Sequence, residues 1–319
     1  MVKVESGLFN ELRGTLNKSR TTFQTRKTGI VAEKKPIPPP DPRGRRECIR
    51  TIYRMLCDKW NTLSEQEKQQ YDETAEKHNI TLFNAFLKEE LTPRLWKCKL
   101  AKLDGQVLYL PFVEGEGNTV KDFSGFNNDG IIYGATWEKL SNNVNVLTFD
   151  GVDDYIGVND SDSLDITDEI TIMSYVNIDA DITQNSMIVA KRNPEASTYE
   201  PYRLSILTDK RISAALAISN TERYISQSPP DTIEFSIWNF VAFTWSRSDG
   251  YGKIYVNGNL VHQEYMTQSE LIKTTGKLLI GQRWTGFANL KGKMAFVAIS
   301  NKRLTDNEIK KINDIVKQY

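Results

Sequence analysis

Beyond Leu100 the chain breaks into short apolar segments separated by clusters of Asn, Asp and Gly, and no helical period intervenes until the last residues. This constrains the fold more than any other feature. Candidate strands fall at 107–111, 144–149, 155–158, 170–178, 187–190, 202–207, 212–218, 240–245, 253–256, 277–280 and 294–299. The clearest turn is Val256-Asn257-Gly258-Asn259, where Asn-Gly supplies the positive φ values of a type I′ hairpin. Many short strands without crossover helices predict an antiparallel sandwich. Trp137, Trp238 and Trp245 are expected in its core. A last helix should start at Thr305, capped by Glu308, and bury Ile309, Ile312 and Val316.

The front of the chain is different. Residues 1–43 hold few apolar side chains and show no helical or strand period, and five prolines lie within 36–42. The first 46 residues carry 11 basic and 4 acidic side chains. Such a stretch buries too little to offset its ordering entropy, so an extended arm is expected, held by a partner. From 44 to 97 the period becomes helical. Ile49, Ile52, Tyr53, Leu56 and Trp60 make one stripe, Ser64 and Glu67 form a capping box, Tyr71 and Ala75 point inward, and Leu82, Phe83, Phe86 and Leu87 line a third helix. The expected organisation is an arm (1–43), a small three-helix segment (44–97) and a mainly β, antiparallel jelly-roll sandwich with its C-terminal helix (98–319).

Several chemistries are disfavoured. The longest stretch without a charged side chain is 12 residues, 235–246, too short for a membrane span, and the first residues lack the apolar core of a signal peptide. Three cysteines (Cys48, Cys57, Cys98) argue against a disulfide scaffold, and no CxxC pair suggests zinc. Two histidines leave little room for histidine catalysis.

Four stretches resemble the concanavalin A-like jelly roll, specifically the laminin G-like domains of bacterial, archaeal and viral surface proteins. They are Leu110-Pro111-Phe112 with Val120-Lys121-Asp122-Phe123-Ser124-Gly125; Leu147-Thr148-Phe149-Asp150-Gly151 through Tyr155; Trp238-Asn239-Phe240 with Ile254-Tyr255-Val256-Asn257-Gly258; and Ile280-Gly281 through Gly292-Lys293-Met294 to Leu304-Thr305-Asp306. Tyr175 stands where that family often has tryptophan. Trp60-x-x-Leu63-Ser64-x-x-Glu67-Lys68-x-x-Tyr71 is similar to the middle of a high-mobility-group box, and the arm plus helices resemble the N-terminal part of structural proteins of tailed bacterial and archaeal viruses.

These resemblances imply a virion structural protein: a capsid- or tail-attached spike, fibre or decoration subunit. Residues 1–97 would bind other virion proteins, the chain would form a homo-oligomer, and the jelly roll would face outward to bind glycans or stabilise the shell. Arg20, Arg26, Lys27, Lys34 and Lys35 are the anchor candidates. They could also meet nucleic acid phosphates, but aromatic interleaving is limited to Phe23, which favours an acidic protein surface.

For glycans, aromatic faces and polar edges on loops point to Tyr199, Arg283, Trp284 and Phe287; a sheet edge or subunit contact would use Trp284 and Phe287 equally well. The family often holds calcium, for which Asp122, Asp150, Asp153 and Asp154 offer hard oxygens, although Asp-Gly and Asp-Asp pairs also simply make turns. Hydrolysis would need two carboxylates across a bond; only Glu114-x-Glu116 alternates, and the interleaved glycines suggest a solvated loop. No catalytic residue is assigned. A carbohydrate-binding module or polysaccharide hydrolase and a DNA-packaging protein are the alternatives.

Overall fold

The computed structural model describes residues 45–101, 103–194, 199–283 and 288–317, and the backbone of 15–16, 21–26 and 29–34. The strands, in chain order, begin with β1 (Thr15–Leu16), β2 (Thr21–Arg26) and β3 (Gly29–Lys34), then β4 (Gln106–Leu110), β5 (Thr119–Val120), β6 (Gly130–Tyr133), β7 (Thr136–Lys139) and β8 (Asn145–Asp150). They continue with β9 (Tyr155–Val158), β10 (Glu169–Ile178), β11 (Ser186–Lys191), β12 (Tyr202–Ile206), β13 (Ile212–Ala217) and β14 (Arg223–Gln227). The last are β15 (Trp238–Ser246), β16 (Tyr251–Val256), β17 (Asn259–Tyr265), β18 (Leu278–Ile280) and β19 (Lys291–Ser300). The helices are α1 (Arg45–Thr62), α2 (Glu65–Gln69), α3 (Asp72–His78), α4 (Leu82–Leu91), α5 (Leu95–Lys99) and α6 (Asp306–Val316).

Two antiparallel sheets form a sandwich. The back sheet runs β17-β16-β15-β10-β19-β8-β7, with β4 also on β19; the front sheet runs β14-β13-β12-β11-β18-β9-β6-β5. Between them lies one core, in which Ile156, Leu204, Ile212 and Leu216 of the front meet Ile172, Val176, Phe243, Trp245 and Val297 of the back. The Asn257-Gly258 hairpin joins β16 to β17 with φ of 49° and 80°, the positive values the dipeptide predicts.

β15 reads Phe-Val-Ala-Phe-Thr-Trp, apolar without alternation, as a strand covered on both faces must. Phe243 and Trp245 enter the sandwich core, while Phe240 and Ala242, with Met173, Tyr255, Phe296 and Ala298, form the outer face. The helices roof that face. Cys48, Ile52 and Leu56 of α1, Phe86 of α4, Trp96 of α5, and Ile309 and Ile312 of α6 belong to the same apolar cluster.

Two buried polar arrangements sit at this seam. Lys97 is fully buried, and its Nζ donates to the carbonyls of Phe112 (3.1 Å), Asn145 (2.6 Å) and Ala295 (2.8 Å). Burial holds its amine well below the ordinary lysine range. Phe112 itself sits at φ 49°, an uncommon backbone for a bulky residue. Glu90 of α4, also buried, pairs with Arg94 (2.9 Å) and with Lys139 of β7 (2.6 Å).

Local signals for the helices are obeyed. Ser64 and Thr305 make capping boxes with Glu67 and Glu308, Thr81 caps α4, and Asn79 ends α3 in the left-handed region. The single second helix expected around Tyr71 is two, because the chain leaves helical geometry at Tyr71 (φ −95°, ψ 3°) to bury its ring edge-on against Phe86, with centroids 5.2 Å apart.

Other expectations need correction. Cys48 and Cys98 are joined in a disulfide, with Cα atoms 5.6 Å apart; both lie on helix faces turned to the shared core, which spacing in sequence does not reveal. The stretch before residue 43 contains a three-stranded antiparallel sheet, β1-β2-β3, consistent with its β-branched Thr21, Thr22, Thr25, Ile30 and Val31. Of the three tryptophans, only Trp245 is fully buried: Trp137 and Trp238 are half-buried, the latter stacked 5.0 Å from Tyr175. Strands β5, β6, β7, β14 and β17 fall outside the apolar segments because they are short or mix polar and apolar residues. Among the described residues no helix is long and apolar enough to cross a membrane.

Candidate functional site

At one end of the sandwich the loops after β9, β15, β17 and β19 converge with the loop between β5 and β6. They enclose a cleft of about 800 Å³ lined by Phe126, Asp162, Asp165, Glu169, Arg247 and Lys302, among others. Its polar groups are held in place by one another. Ser246 Oγ donates to Glu169 (3.2 Å) and lies 2.8 Å from Ser248 Oγ. The guanidinium of Arg247 donates to Asp168 (2.9 Å) and to the Gln268 carbonyl (3.1 Å), and the Gln268 amide donates to the Ser248 carbonyl (3.0 Å). The Thr167 hydroxyl and Arg247 hold the Asp168 carboxyl below its ordinary range, so it is an anion at neutral pH. Phe126 is 53 % exposed at the edge.

The Asp-x-Ser-Gly turn builds this wall. Asp122 is buried and accepts from the amides of Tyr109 (2.8 Å), Ser124 (2.9 Å) and Asn128 (2.9 Å) and from the Ser124 hydroxyl (2.6 Å). The Asn128 side chain then donates to Ser163 on the facing loop (2.9 Å). Sequence reasoning assigned Asp122 to metal and passed over Phe126. The available signal was an aromatic residue inside an otherwise polar turn.

The carboxylates proposed for calcium divide. Asp150, Asp153 and Asp154 each bring an oxygen within 4.8 Å of the others, and Asp122 stands outside the group. Asp154 accepts from the Asp150 amide (2.9 Å) and Asp150 from the Val152 amide (2.7 Å), so two of the three also close their own turn. Burial, then the neighbouring Asp150 and Asp153, raise the Asp154 carboxyl. Gly134, at φ 78°, packs directly on the Asp154 carboxylate, and any larger residue would collide with it. Three clustered carboxylate oxygens are the donor set a hard divalent cation takes.

Of the glycan candidates, Tyr199 and Arg283 are described and meet different partners, whereas Trp284 and Phe287 lie outside the described residues. Arg283 clamps Glu200 through Nε (2.5 Å) and Nη2 (3.1 Å), and the Arg223 guanidinium lies 4.4 Å from the Tyr199 ring centroid. Among the anchor candidates, Arg20, Lys27 and Lys35 also lie outside the described residues; Arg26 ends β2 and Lys34 ends β3. The expectation of a solvated Glu114-x-Glu116 loop holds for Glu116 only. The carboxylate of Glu114 turns inward, accepts from the Lys121 amide (2.9 Å), and is raised by burial.

Comparison with known proteins bears on the fold. A laminin G-type family model, described as the concanavalin A-like lectin/glucanases superfamily, matches residues 150–310. No curated protein sequence matches. Similar solved structures include the binding domain of botulinum neurotoxin serotype D (TM-score 0.53, 18 % identity, 66 % of this chain and 52 % of that one). Another is the binding domain of Paraclostridial Mosquitocidal Protein 1 (TM-score 0.54, 13 % identity, 66 % and 52 %). A third is the binding domain of botulinum neurotoxin DC in complex with SialylT (TM-score 0.53, 15 % identity, 66 % and 52 %). The match spans about half the length of these chains. With the family model covering half of its residues and both sheets in place, this chain belongs to the concanavalin A-like lectin/glucanase superfamily.

Proposed function

We propose that the jelly roll is a carbohydrate-binding module, a binder rather than a hydrolase, with its sugar in the rim cleft. The cleft carries this reading: an exposed aromatic edge beside carboxylates, hydroxyls and amides already fixed by hydrogen bonds is what a sugar's C–H face and hydroxyls require. A structural neighbour studied in complex with SialylT supports the same class of ligand. Glu114 and Glu116 take no catalytic part, because Glu114 serves to close its own loop. On a glycan array the full chain should retain a defined set of oligosaccharides without releasing products, and Phe126→Ala should lose about tenfold in affinity, in line with one lost aromatic contact. Product formation, or a Phe126→Ala variant that binds like wild type, would reject the reading.

The setting we propose is a virion surface, with residues 1–97 docked on other virion proteins, the chain repeated as a homo-oligomer, and calcium held by Asp150, Asp153 and Asp154. What supports it is the placement of the helices on the back sheet, which leaves the cleft uncovered. Residues 1–43 should be cleaved by protease in the free chain and protected in particles; equal cleavage in both counts against docking.

A further inference from the structure

The outer face of the front sheet carries a second polar cluster, none of whose residues lines the cleft. Pairing register places its members. Arg203 of β12 lies opposite Ala190 of β11 and Ala215 of β13, and Arg223 of β14 lies opposite Ala217. Residues opposed across a ladder share a face, so both arginines stand on a floor of alanines that leaves room above the sheet. From beyond β18, Arg283 reaches the same place. Arg203 and Arg283 both pair with Glu200, which is 5 % exposed, and Arg223 lies over the ring of the preceding residue, Tyr199, close enough to Arg203 for their charges to interact.

The charges do not balance among the described residues. Both Glu200 oxygens are engaged: Arg283 takes the two of them, and Arg203 Nη1 donates to Oε2 at 3.3 Å. Arg203 is 9 % exposed and its buried Nε has no hydrogen-bond partner among the described residues. Arg223 has the Tyr199 ring beside it and, among the described residues, no carboxylate paired with it. A guanidinium on an aromatic face keeps its N–H edge for an acceptor. Burying several cations around one anion is costly, and a donor buried without an acceptor adds to that cost. An incoming anion would relieve both.

We propose that Arg203, Arg223 and Arg283 form an anion subsite that reads the carboxylate or sulfate of an acidic glycan. This rests on the carbohydrate-binding reading above and names its ligand class. Burial first, and then Arg283, push the Arg203 guanidinium down to about 10.

The test uses the full chain. A glucuronate-bearing oligosaccharide, a sulfated one and their carboxyl-reduced and desulfated counterparts are titrated by calorimetry against wild type, Arg223→Gln and Phe126→Ala. Wild type should prefer the acidic over the matched neutral ligand by about tenfold or more, with the preference falling as salt rises. Arg223→Gln should abolish the preference, while Phe126→Ala should weaken both ligands and preserve their ratio. Whichever acidic ligand shows the larger ratio identifies the group. Inorganic sulfate and free glucuronate, titrated in the same way, probe the subsite without a glycan. Heat with either anion that disappears in Arg223→Gln sustains the subsite even when no oligosaccharide binds the cleft. Equal affinity for acidic and neutral ligands, or no heat with either anion, overturns it even when neutral sugars bind.

Discussion

The two sheets have the same number of strands, yet their outer faces have opposite fates. On the back, Met173, Phe240 and Phe296 are sealed beneath five of the helices' apolar faces and pinned by Lys97 and Glu90. On the front, Ile131 and Tyr133 remain exposed, Tyr133 stacks on Tyr155 at 4.6 Å, and arginines stand over small residues. A sandwich needs only its inner faces to be stable. An outer face that is also apolar must be covered, and here the helices cover it. The other can keep polar and aromatic groups in water, where a ligand can meet them. The back face is thus given over to stability, while the front face stays open to solvent.

If that division holds, changes at the back should cost stability, and changes at the front should not. The largest effect belongs to the disulfide. It closes a loop of 50 residues between α1 and α5, and removing it by Cys48→Ala with Cys98→Ala should cost about 4 kcal/mol on chain-entropy grounds. Urea unfolding of wild type and variant, both kept monomeric, measures this; a loss under about 1 kcal/mol would mean that helix packing alone holds the roof. Lys97→Met comes next. It keeps the buried stem but leaves three carbonyls without their donor, for a cost of about 3 kcal/mol. An unchanged urea midpoint would show that water replaces the ammonium and that the seam is wetter than its packing implies.

The same contrast explains what was legible in the sequence. The unbroken apolar run of β15 announced a strand covered on both sides, and the Ser64, Thr305 and Asn257-Gly258 signals placed helix starts and a hairpin, because each depends on residues within a few positions of one another. Lys97 could not be read this way. On a helix a lysine signals solvent, and only the Phe112, Asn145 and Ala295 carbonyls, brought together by three separate strands and turns, make its burial tolerable. The Cys48–Cys98 link is hidden for the same reason. In the arginine cluster, aromatic and basic loop residues drew attention to Tyr199 and Arg283, whereas the cleft's Phe126 was passed over as part of a polar turn. Arg203 was missed because an arginine in an alternating strand looks like an ordinary solvent-facing residue, and its Glu200 partner becomes buried only when Arg283 returns across the face.

The front should respond differently. Tyr133→Ala removes an exposed ring whose one close aromatic neighbour among the described residues is Tyr155, so thermal stability should drop by no more than about 1 kcal/mol. Calorimetric melting checks this, and a loss comparable to that of Lys97→Met would erase the distinction between the two faces.

The smallest effect tests the edge of the back roof. Asp306 opens α6 and accepts from the Tyr255 hydroxyl (2.7 Å) and Lys253 (3.1 Å), and these partners hold its carboxyl below the ordinary aspartate range. A carboxyl lowered on folding stabilises the fold at any pH above its unfolded value, and the contribution disappears as pH falls through the lowered, folded value. The Asp306 side chain is 58 % exposed, so water and salt screen the pair, and Asp306→Asn should cost only about 0.5 kcal/mol at pH 7. That difference should stay constant from pH 7 down to about pH 4 and close below it, as the wild-type carboxyl takes up its proton. No difference at pH 7, or one that shrinks between pH 7 and pH 5, would mean that Asp306 is not held by Tyr255 and Lys253 in solution, and that α6 is fastened to the back sheet by its apolar face, Ile309, Ile312 and Val316.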